Sequence, residues 1–353
     1  MTRGTAGPSL RRAASPSPAV ARPGPLLRLV LVALLATACA PRLAPPGPGP
    51  TAPSLTADRL VAADGLELPL RAWLPADGAR PKAVIVALHG INDYSNAFEG
   101  PGRYWAGRGI ATYAYDQRGF GAAPNRGLWA GTPALTADLT AAARVLRARY
   151  PGIPLYLLGH SMGGAVVLAA MAGADPPPAA GVILVAPAVW ARSTMPLLHR
   201  ISLWIGAHTL PWLAVTGRGL NIQASDNIEM LRALGRDPLY IKETRIDALH
   251  GLVDLMDAAL AAAPRLRTPA LLLYGAKDEV VPEGPALRLW QALPERARDR
   301  QRRALYADGW HMLLRDLEAE VVLNDVVHWI EAPRAPLPSG AEARALARLG
   351  EEE

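Results

Sequence analysis

Short, almost wholly apolar runs alternate along the chain with longer stretches in which apolar residues recur at helical spacing. The runs lie at residues 83–88, 110–115, 155–158, 181–186, 270–274 and 303–306. Such runs predict strands that are covered on both faces, as in a parallel sheet. Segments 136–150 and 317–330 have the periodicity of amphipathic helices. This alternation predicts an α/β fold with a mostly parallel central sheet flanked by helices.

Two segments depart from this pattern. Residues 66–73 alternate apolar and polar positions, which predicts an antiparallel strand, and Pro69 favours a sheet edge because proline cannot donate to a ladder. Between about residues 187 and 264 no strand pattern occurs, and apolar residues recur at helical spacing. We therefore expect a domain over 58–331 with a helical cap over 187–264. The first half of the cap could line an acyl-chain pocket or could pack the cap onto the body.

The sequence patterns at the two ends of the chain predict segments that lie outside this domain. An arginine-bearing stretch is followed by an apolar run at 29–36 that is too short to cross a bilayer permanently, which predicts a signal peptide over 1–38. Proline-rich residues 39–57 predict an extended tether. Residues 332–353 are proline-rich and then rich in Ala, Arg and Glu, and we expect a tail peripheral to the fold.

Charge and cysteine content exclude several classes of function. The net charge of +6 owes +5 to arginines before residue 39, which leaves +1 for the rest of the chain. This balance gives no electrostatic support for nucleic-acid binding. Cys39 is the only cysteine, so an intrachain disulfide and a catalytic thiol in the domain are both excluded.

The third apolar run leads into Gly159-His160-Ser161-Met162-Gly163, and a helix rich in small residues follows at once. This strand, sharp turn and helix are typical of a serine nucleophile exposed at the top of a sheet. Gly159 and Gly163 are expected because side chains there would collide across the turn. Ser161 is therefore the candidate nucleophile, and the Met162 N–H is a candidate oxyanion donor.

Candidate partners for this serine follow two later strands. Asp278 comes just past the run at 270–274, at the sheet edge where the carboxyl ends of parallel strands meet, with Glu279 as the neighbouring alternative. His311 lies in a glycine-containing loop after the run at 303–306 and is the candidate general base.

Other histidines and one aspartate–arginine pair have structural interpretations. His89 follows the run at 83–88, and we expect it to support its loop, whereas the N–H of Ile91 in the same loop is the candidate second oxyanion donor. Asp116 and Arg118 flank a glycine-rich turn and predict a structural ion pair. The remaining histidines are interpreted as surface or structural groups: His199, His208, His250 and His328.

Residues 66–330 resemble the monoacylglycerol lipase or lysophospholipase branch of the α/β-hydrolases, in which nucleophile, acid and base follow in the order Ser161, Asp278, His311. The resemblance is also carried by His89-Gly90-Ile91, Asp116-x-Arg118-Gly119-x-Gly121, Asp237-Pro238 and Gly275-x-x-Asp278-x-x-Val281. It implies an oxyanion hole from Ile91 and Met162, a cap that shapes an acyl-chain tunnel, a lipid ester as substrate, and no metal or organic cofactor.

Two alternatives remain open from the sequence. A protein of this fold could act as a peptidase or an acyltransferase, or could be catalytically idle and bind a lipid or a partner protein. Ala36-Thr37-Ala38-Cys39 resembles a bacterial lipoprotein signal, which implies a lipidated Cys39 as the membrane anchor. With Ala40 next in the chain, the resemblance favours export to the outer membrane, facing the periplasm; an ordinary cleaved secretory signal is the alternative.

Overall fold

The computed structural model describes residues 1–2, 24, 40–219 and 221–350. The chain divides into two units, Met1–Ala40 and Pro41–Glu353, and the fold below is that of the second. Cys39 and nearly all of the predicted signal peptide lie outside the described residues. Within the described part of the chain, no helix has both the length and the apolar character needed to cross a membrane.

Strands form wherever the apolar runs predict them. In chain order they are β1 (Ser54–Leu55), β2 (Arg59–Val61), β3 (Glu67–Trp73), β4 (Ala83–Leu88), β5 (Ile110–Tyr115), β6 (Leu155–His160), β7 (Gly181–Val185), β8 (Ala214–Val215), β9 (Thr244–Arg245), β10 (Ala270–Gly275) and β11 (Gln301–Tyr306). The bounds of β4 and β5 match the predicted ones, and β6, β7, β10 and β11 differ by two residues or fewer.

Helices connect most of these strands. The α-helices are α1 (Glu99–Ala106), α2 (Thr132–Arg149), α3 (Met162–Met171), α4 (Leu197–Thr209), α5 (Ile228–Arg236), α6 (Ile246–Ala262), α7 (Glu283–Ala292), α8 (Ala319–Glu331) and α9 (Ala341–Gly350). Short 3₁₀ helices lie at Ala76–Gly78, Ser95–Phe98, Ala263–Arg265 and Glu295–Arg300.

Nine strands form one sheet in the order β1-β2-β3-β5-β4-β6-β7-β10-β11. The pairs from β5 to β11 are parallel, and β1, β2 and β3 are antiparallel additions at one side. Alternate residues of β4 pack into two separate cores, with Val84 and Val86 on one face and Ile85 on the other. A sheet covered on both faces in this way confirms the α/β-hydrolase fold expected from the sequence.

The prediction that the strand at 66–73 lies at a sheet edge is wrong. β3 pairs with β5 on one side and with β2 on the other. Pro69 is tolerated because it lies one residue beyond Leu70, whose partner Tyr115 ends the β3–β5 ladder. The Pro69 carbonyl still accepts the Asp116 N–H at 2.8 Å, so the missing N–H leaves out only a bond at the very end of that ladder.

The proline-rich stretch is not a free tether. The Ala44 N–H donates to the Trp129 carbonyl at 2.7 Å, the Gly47 N–H donates to Asp64 Oδ2 at 2.7 Å, and β1 pairs with β2. Prolines disfavour a helix but leave the backbone extended, and the intervening N–H groups still bond to a neighbouring segment. From Pro41 onwards this segment is bound to the body.

The predicted cap is shorter than expected. α6 packs against α3 on the body, with Val253, Leu255 and Ala259 buried. Helical spacing of apolar residues is the same whether a helix covers a sheet or forms a cap, so the sequence pattern did not separate the two cases. The region also contains the two-residue strands β8 and β9, paired with each other.

The C-terminal stretch is part of the fold and not a peripheral tail. α9 packs against β11, where Ala341 and Ala345 are buried together with the preceding Leu337. Arg302 of β11 forms an ion pair with Glu342 at 2.6 Å. The face of α9 turned to the core carries mainly alanine, which gives a weak hydropathy signal and explains why the sequence did not predict the packing.

Candidate active site

Ser161 lies between β6 and α3 in a backbone conformation that residues other than glycine rarely adopt, with φ 52° and ψ −117°. A Cβ at Gly159 would lie 2.3 Å from the Gly163 carbonyl oxygen, and one at Gly163 would lie 2.3 Å from the Leu88 carbonyl oxygen. Both glycines are therefore required, as predicted, for strand and helix to approach this closely. The Ser161 N–H donates to the Val185 carbonyl at 2.9 Å, which fixes the turn on the neighbouring strand.

His311 and Asp278 come together at the carboxyl edge of the sheet. His311 Nδ1–H donates to Asp278 Oδ2 at 2.8 Å, and both side chains are buried. Asp278 Oδ1 accepts the N–H groups of Val280 and Val281 at 2.8 and 2.9 Å. The carboxylate is thus held by its own loop and has one oxygen directed at the imidazole. Glu279, the alternative acid, instead accepts the Gln223 N–H at 2.6 Å.

The His311 ring lies beside the turn that carries Ser161. His160, the residue before Ser161, contacts the His311 ring at a centroid distance of 5.0 Å, and its Nε2–H donates to the His311 carbonyl at 3.0 Å. Among the hydrogen bonds of the described residues, none involves His311 Nε2. The nitrogen that a general base needs is therefore not engaged by another described group of the protein.

Burial favours the neutral form of His160 and His89. Desolvation lowers the pKa of His160 well below its usual value and also lowers the pKa of His89. His89 Nδ1–H donates to the Gly90 carbonyl at 2.8 Å, and its Nε2 accepts the Gln117 N–H at 3.0 Å. With both ring nitrogens engaged in this way, His89 supports its loop, in agreement with the sequence prediction.

The two candidate oxyanion donors flank the serine. Met162 is the first residue of α3, so its N–H has no acceptor within the helix. A Cβ on Gly90, which precedes Ile91, would lie 3.2 Å from Ser161 Cβ, so this loop passes directly over the nucleophile. In the described part of the chain, neither the Ile91 nor the Met162 N–H donates to a protein acceptor.

Asp116 and Arg118 have structural roles but do not pair with each other. Asp116 accepts the N–H groups of Ser95 and Ala122 at 2.9 and 2.8 Å. Arg118 binds Asp138 of α2 and Asp64 near β2, each through two hydrogen bonds of 2.6–2.8 Å. The Arg118 guanidinium lowers the pKa of Asp64. The predicted ion pair between Asp116 and Arg118 is therefore wrong, and each residue stabilises a different part of the fold.

Sequence reasoning missed the roles of three residues around the site. Arg315 forms a short ion pair with Asp93, which joins the segment after His311 to the loop of Ile91. His160 supports the His311 main chain from the other side. Asp93 is two residues from Ile91 in the chain, but its partner lies 222 residues away, and no periodicity or motif links the two.

The chain is similar to known proteins in both sequence and fold. A family model described as serine aminopeptidase, S33, matches residues 79–318. The monoglyceride lipase of Homo sapiens is 28% identical over 275 residues, which cover 77% of this chain and 88% of that relative. The monoacylglycerol lipase of Mycolicibacterium smegmatis is 24% identical over 270 residues, which cover 75% of this chain and 93% of the relative.

Solved structures share the fold. A soluble variant of the monoglyceride lipase of Saccharomyces cerevisiae, in complex with a substrate analogue, gives a TM-score of 0.66 at 20% identity and covers 81% of this chain and 98% of its own. The monoacylglycerol lipase of Paleococcus ferrophilus gives a TM-score of 0.62 at 22% identity and covers 75% and 98%.

Proposed function

We propose, from the premise that this chain belongs to the serine aminopeptidase S33 family of α/β-hydrolases, that it cleaves carboxylic esters of lipids through an acyl-serine intermediate. The chain is a serine hydrolase that acts on esters. Monoacylglycerols or lysophospholipids are the substrate class that we propose.

The proposed mechanism assigns one step to each group. His311 Nε2 takes the Ser161 hydroxyl proton as the oxygen attacks the ester carbonyl, and the N–H groups of Ile91 and Met162 stabilise the oxyanion. The imidazolium then protonates the leaving alcohol, and an acyl-Ser161 ester remains. Water, deprotonated by the same imidazole, attacks the acyl group; the bond to Ser161 breaks, the imidazolium returns the proton to the Ser161 oxygen, and the fatty acid is released. Asp278 keeps the His311 proton on Nδ1 throughout.

A single observation carries this proposal: the 2.8 Å hydrogen bond from His311 Nδ1–H to Asp278, beside a serine in a strained turn. A strained backbone costs free energy of folding, on the order of 1–3 kcal/mol, and such strain concentrates at functional sites. A protein that only bound lipids would need neither the strained serine nor the oriented imidazole.

Two further observations support a lipid as the substrate. The monoglyceride lipases named above act on monoacylglycerols according to their names, and they match most of this chain. Large apolar side chains are also exposed on the cap: Leu197, Leu198, Ile201, Trp204, Ile205, Leu210, Trp212 and Leu213. A cluster of this kind on a monomer surface is typical of a surface that meets an apolar ligand or partner.

The nucleophile is tested with the Ser161→Ala variant. We expect a fluorophosphonate probe to label the wild type and not the variant, and monoacylglycerol hydrolysis to fall on the order of 10⁶-fold, as when a serine triad loses its nucleophile. Persistent labelling of Ser161→Ala would remove the assignment.

Substrate class is tested with a panel of monoacylglycerols, lysophospholipids, p-nitrophenyl esters and aminoacyl p-nitroanilides. We expect the esters to be turned over and the anilides not. Turnover of the anilides alone would make the protein a peptidase, and a folded wild type inactive on the whole panel would favour a lipid-binding role.

We further propose that Cys39 carries a lipid anchor. The support is its position after the arginine-bearing and apolar segments and the Ala36-Thr37-Ala38 triplet. The Cys39→Ala protein should leave the membrane fraction, in which the parent protein is expected. Unchanged fractionation of Cys39→Ala would rule the anchor out.

A further inference from the structure

Residues 223–227, between α4 and α5, contact the loop that carries His311. This loop, residues 307–316, is here called the His loop. The Met312 N–H donates to the Ala224 carbonyl at 2.9 Å, and Asn227 Nδ2 donates to the Arg315 carbonyl at 3.0 Å. Segment 223–227 is therefore bound to the main chain of the His loop on the C-terminal side of the histidine.

Within this segment Ser225 is linked, through Asp316, to the N-terminal side of the histidine. Its side chain is fully buried, and its Oγ–H donates to Asp316 Oδ1 at 2.6 Å. The other carboxylate oxygen, Oδ2, accepts the N–H of Trp310 at 2.8 Å. Trp310 is the residue directly before His311, so the main chain is held on both sides of the histidine.

The proton arrangement in this chain of contacts is fixed. Ser225 Oγ accepts the Asn227 N–H at 3.1 Å, so its own proton is directed to Asp316. Both carboxylate oxygens then accept hydrogen bonds, which favours the ionised carboxylate, whereas burial acts in the opposite direction and raises the pKa of Asp316. A buried carboxylate that loses one of its two donors shifts towards another partner, and a shift of Asp316 would move the Trp310 N–H that it still binds.

We propose that Ser225 and Asp316 are positioning residues for His311. In this proposal the segment following α4 fixes the position of the general base through the main chain of the His loop. This inference rests on the proposed function, because it assigns His311 the role of base. It predicts that the hydroxyl of Ser225 acts on the chemical step, since a displacement of about 1 Å in a catalytic group costs on the order of 100-fold in rate.

The chain contains a matched control for a purely structural serine–aspartate contact. Ser339 Oγ–H donates to the buried Asp325 at 2.5 Å, and the Ala341 N–H donates to Ser339 Oγ at 3.1 Å. This repeats the geometry of Ser225, Asp316 and the Asn227 N–H. The control lies between α8 and α9, and Ser339 bonds to no residue of the His loop.

The experiment compares Ser225→Ala, Ser225→Thr and Ser339→Ala with the wild type. We measure kcat and KM on p-nitrophenyl acetate and on a long-chain p-nitrophenyl ester, per active site titrated with a fluorophosphonate, and the melting temperature of each variant. Ser225→Ala should lower kcat about 10- to 100-fold on both esters alike, with KM little changed. Ser225→Thr should restore most of kcat, and Ser339→Ala should keep the wild-type kcat whatever its melting temperature.

Two results would overturn the inference. One is a folded Ser225→Ala with the wild-type kcat, and another is a loss confined to KM of the long ester, which would indicate a role in acyl binding only. Should Ser225→Ala not fold, Asp316→Asn is used in its place. The asparagine Oδ1 can still accept from Ser225, but its Nδ2 cannot accept the Trp310 N–H, so the same loss of kcat is expected.

Failure of the proposed function has a different signature. A wild type that reacts with the fluorophosphonate but hydrolyses no ester would contradict the substrate proposal. The positioning role would then still be decided by the rate of Ser161 labelling, which must be at least about tenfold slower in Ser225→Ala than in Ser339→Ala.

Discussion

Ser161, Asp278 and His311 depend on different physical constraints. Ser161 is held by sterics, because the residues at positions 159 and 163 can have no side chain. His311 is held by hydrogen bonds to groups that are distant in the chain: its carbonyl accepts from His160, and its Nδ1–H donates to Asp278. The serine is consequently the residue that a motif identifies, whereas the histidine is the residue that neighbouring segments position.

The Asp278→Asn variant tests how the imidazole is oriented. An amide at this position would favour the wrong tautomer of His311, and we expect kcat to fall on the order of 10⁴-fold, as for the same change in a serine protease triad. Steady-state kinetics on a soluble ester measures it. Glu279→Gln is the matched variant, because Glu279 bonds to Gln223 and not to the histidine, and its effect should be far smaller. The reverse ranking would make Glu279 the acid.

Among the elements, α9 shows how a polar segment becomes part of a core. Its apolar contribution is small, but Leu337, just before it, is only 4% exposed. Arg302 and Glu342 pair across the β11–α9 contact, and Arg344 Nε–H donates to the Leu305 carbonyl at 3.1 Å. The helix thus covers the last strand of the sheet, which would otherwise be an open edge.

A truncation of Leu337 tests the contribution of this packing. Leu337→Ala should lower the free energy of unfolding by about 2–5 kcal/mol, the usual cost of removing a buried leucine side chain. Chemical denaturation measures the change. Leu346 of α9 is 66% exposed, and Leu346→Ala should change the free energy of unfolding by less than about 0.5 kcal/mol. Equal effects would mean that α9 does not pack as described.

At the scale of the whole molecule, stability depends on pH through buried neutral histidines. Burial places the folded-state pKa of His89 and of His160 below the unfolded value of about 6.5. As the pH falls below about 6.5 the unfolded chain binds more protons than the folded one, so stability decreases until the folded-state pKa is reached. The lowered pKa of Asp64 acts in the same sense only below about pH 4.

We therefore expect the melting temperature to be highest above about pH 7 and to fall between pH 7 and 5. Over this range the free energy of unfolding should decrease by up to about 1.4 kcal/mol per pH unit for each buried histidine. Thermal unfolding across this range measures the slope. His89→Gln should be less stable overall but have a shallower slope, whereas His208→Gln, at an exposed position, should keep the slope of the wild type. A flat profile between pH 7 and 5 would contradict the assignment.

The sequence alone determined the parts of this protein that follow from local rules. Strands of the parallel sheet, the turn at Ser161 and the loops that carry Asp278 and His311 could be predicted, because side-chain periodicity and the absence of a Cβ act over a few residues. The same rules gave the wrong place for β3 in the sheet and the wrong roles for α6 and α9, since a local pattern does not state which surface covers it.

Tertiary structure alone decided which distant groups support the site. Ser225 and Asp316 are 91 residues apart, and Asp93 and Arg315 are 222 residues apart. Such pairs are chosen by the folded sheet, which brings the ends of its strands to one edge and the segment after α4 onto the His loop. The energy of these hydrogen bonds exists only after burial excludes water, and no property of either residue in the unfolded chain indicates its partner.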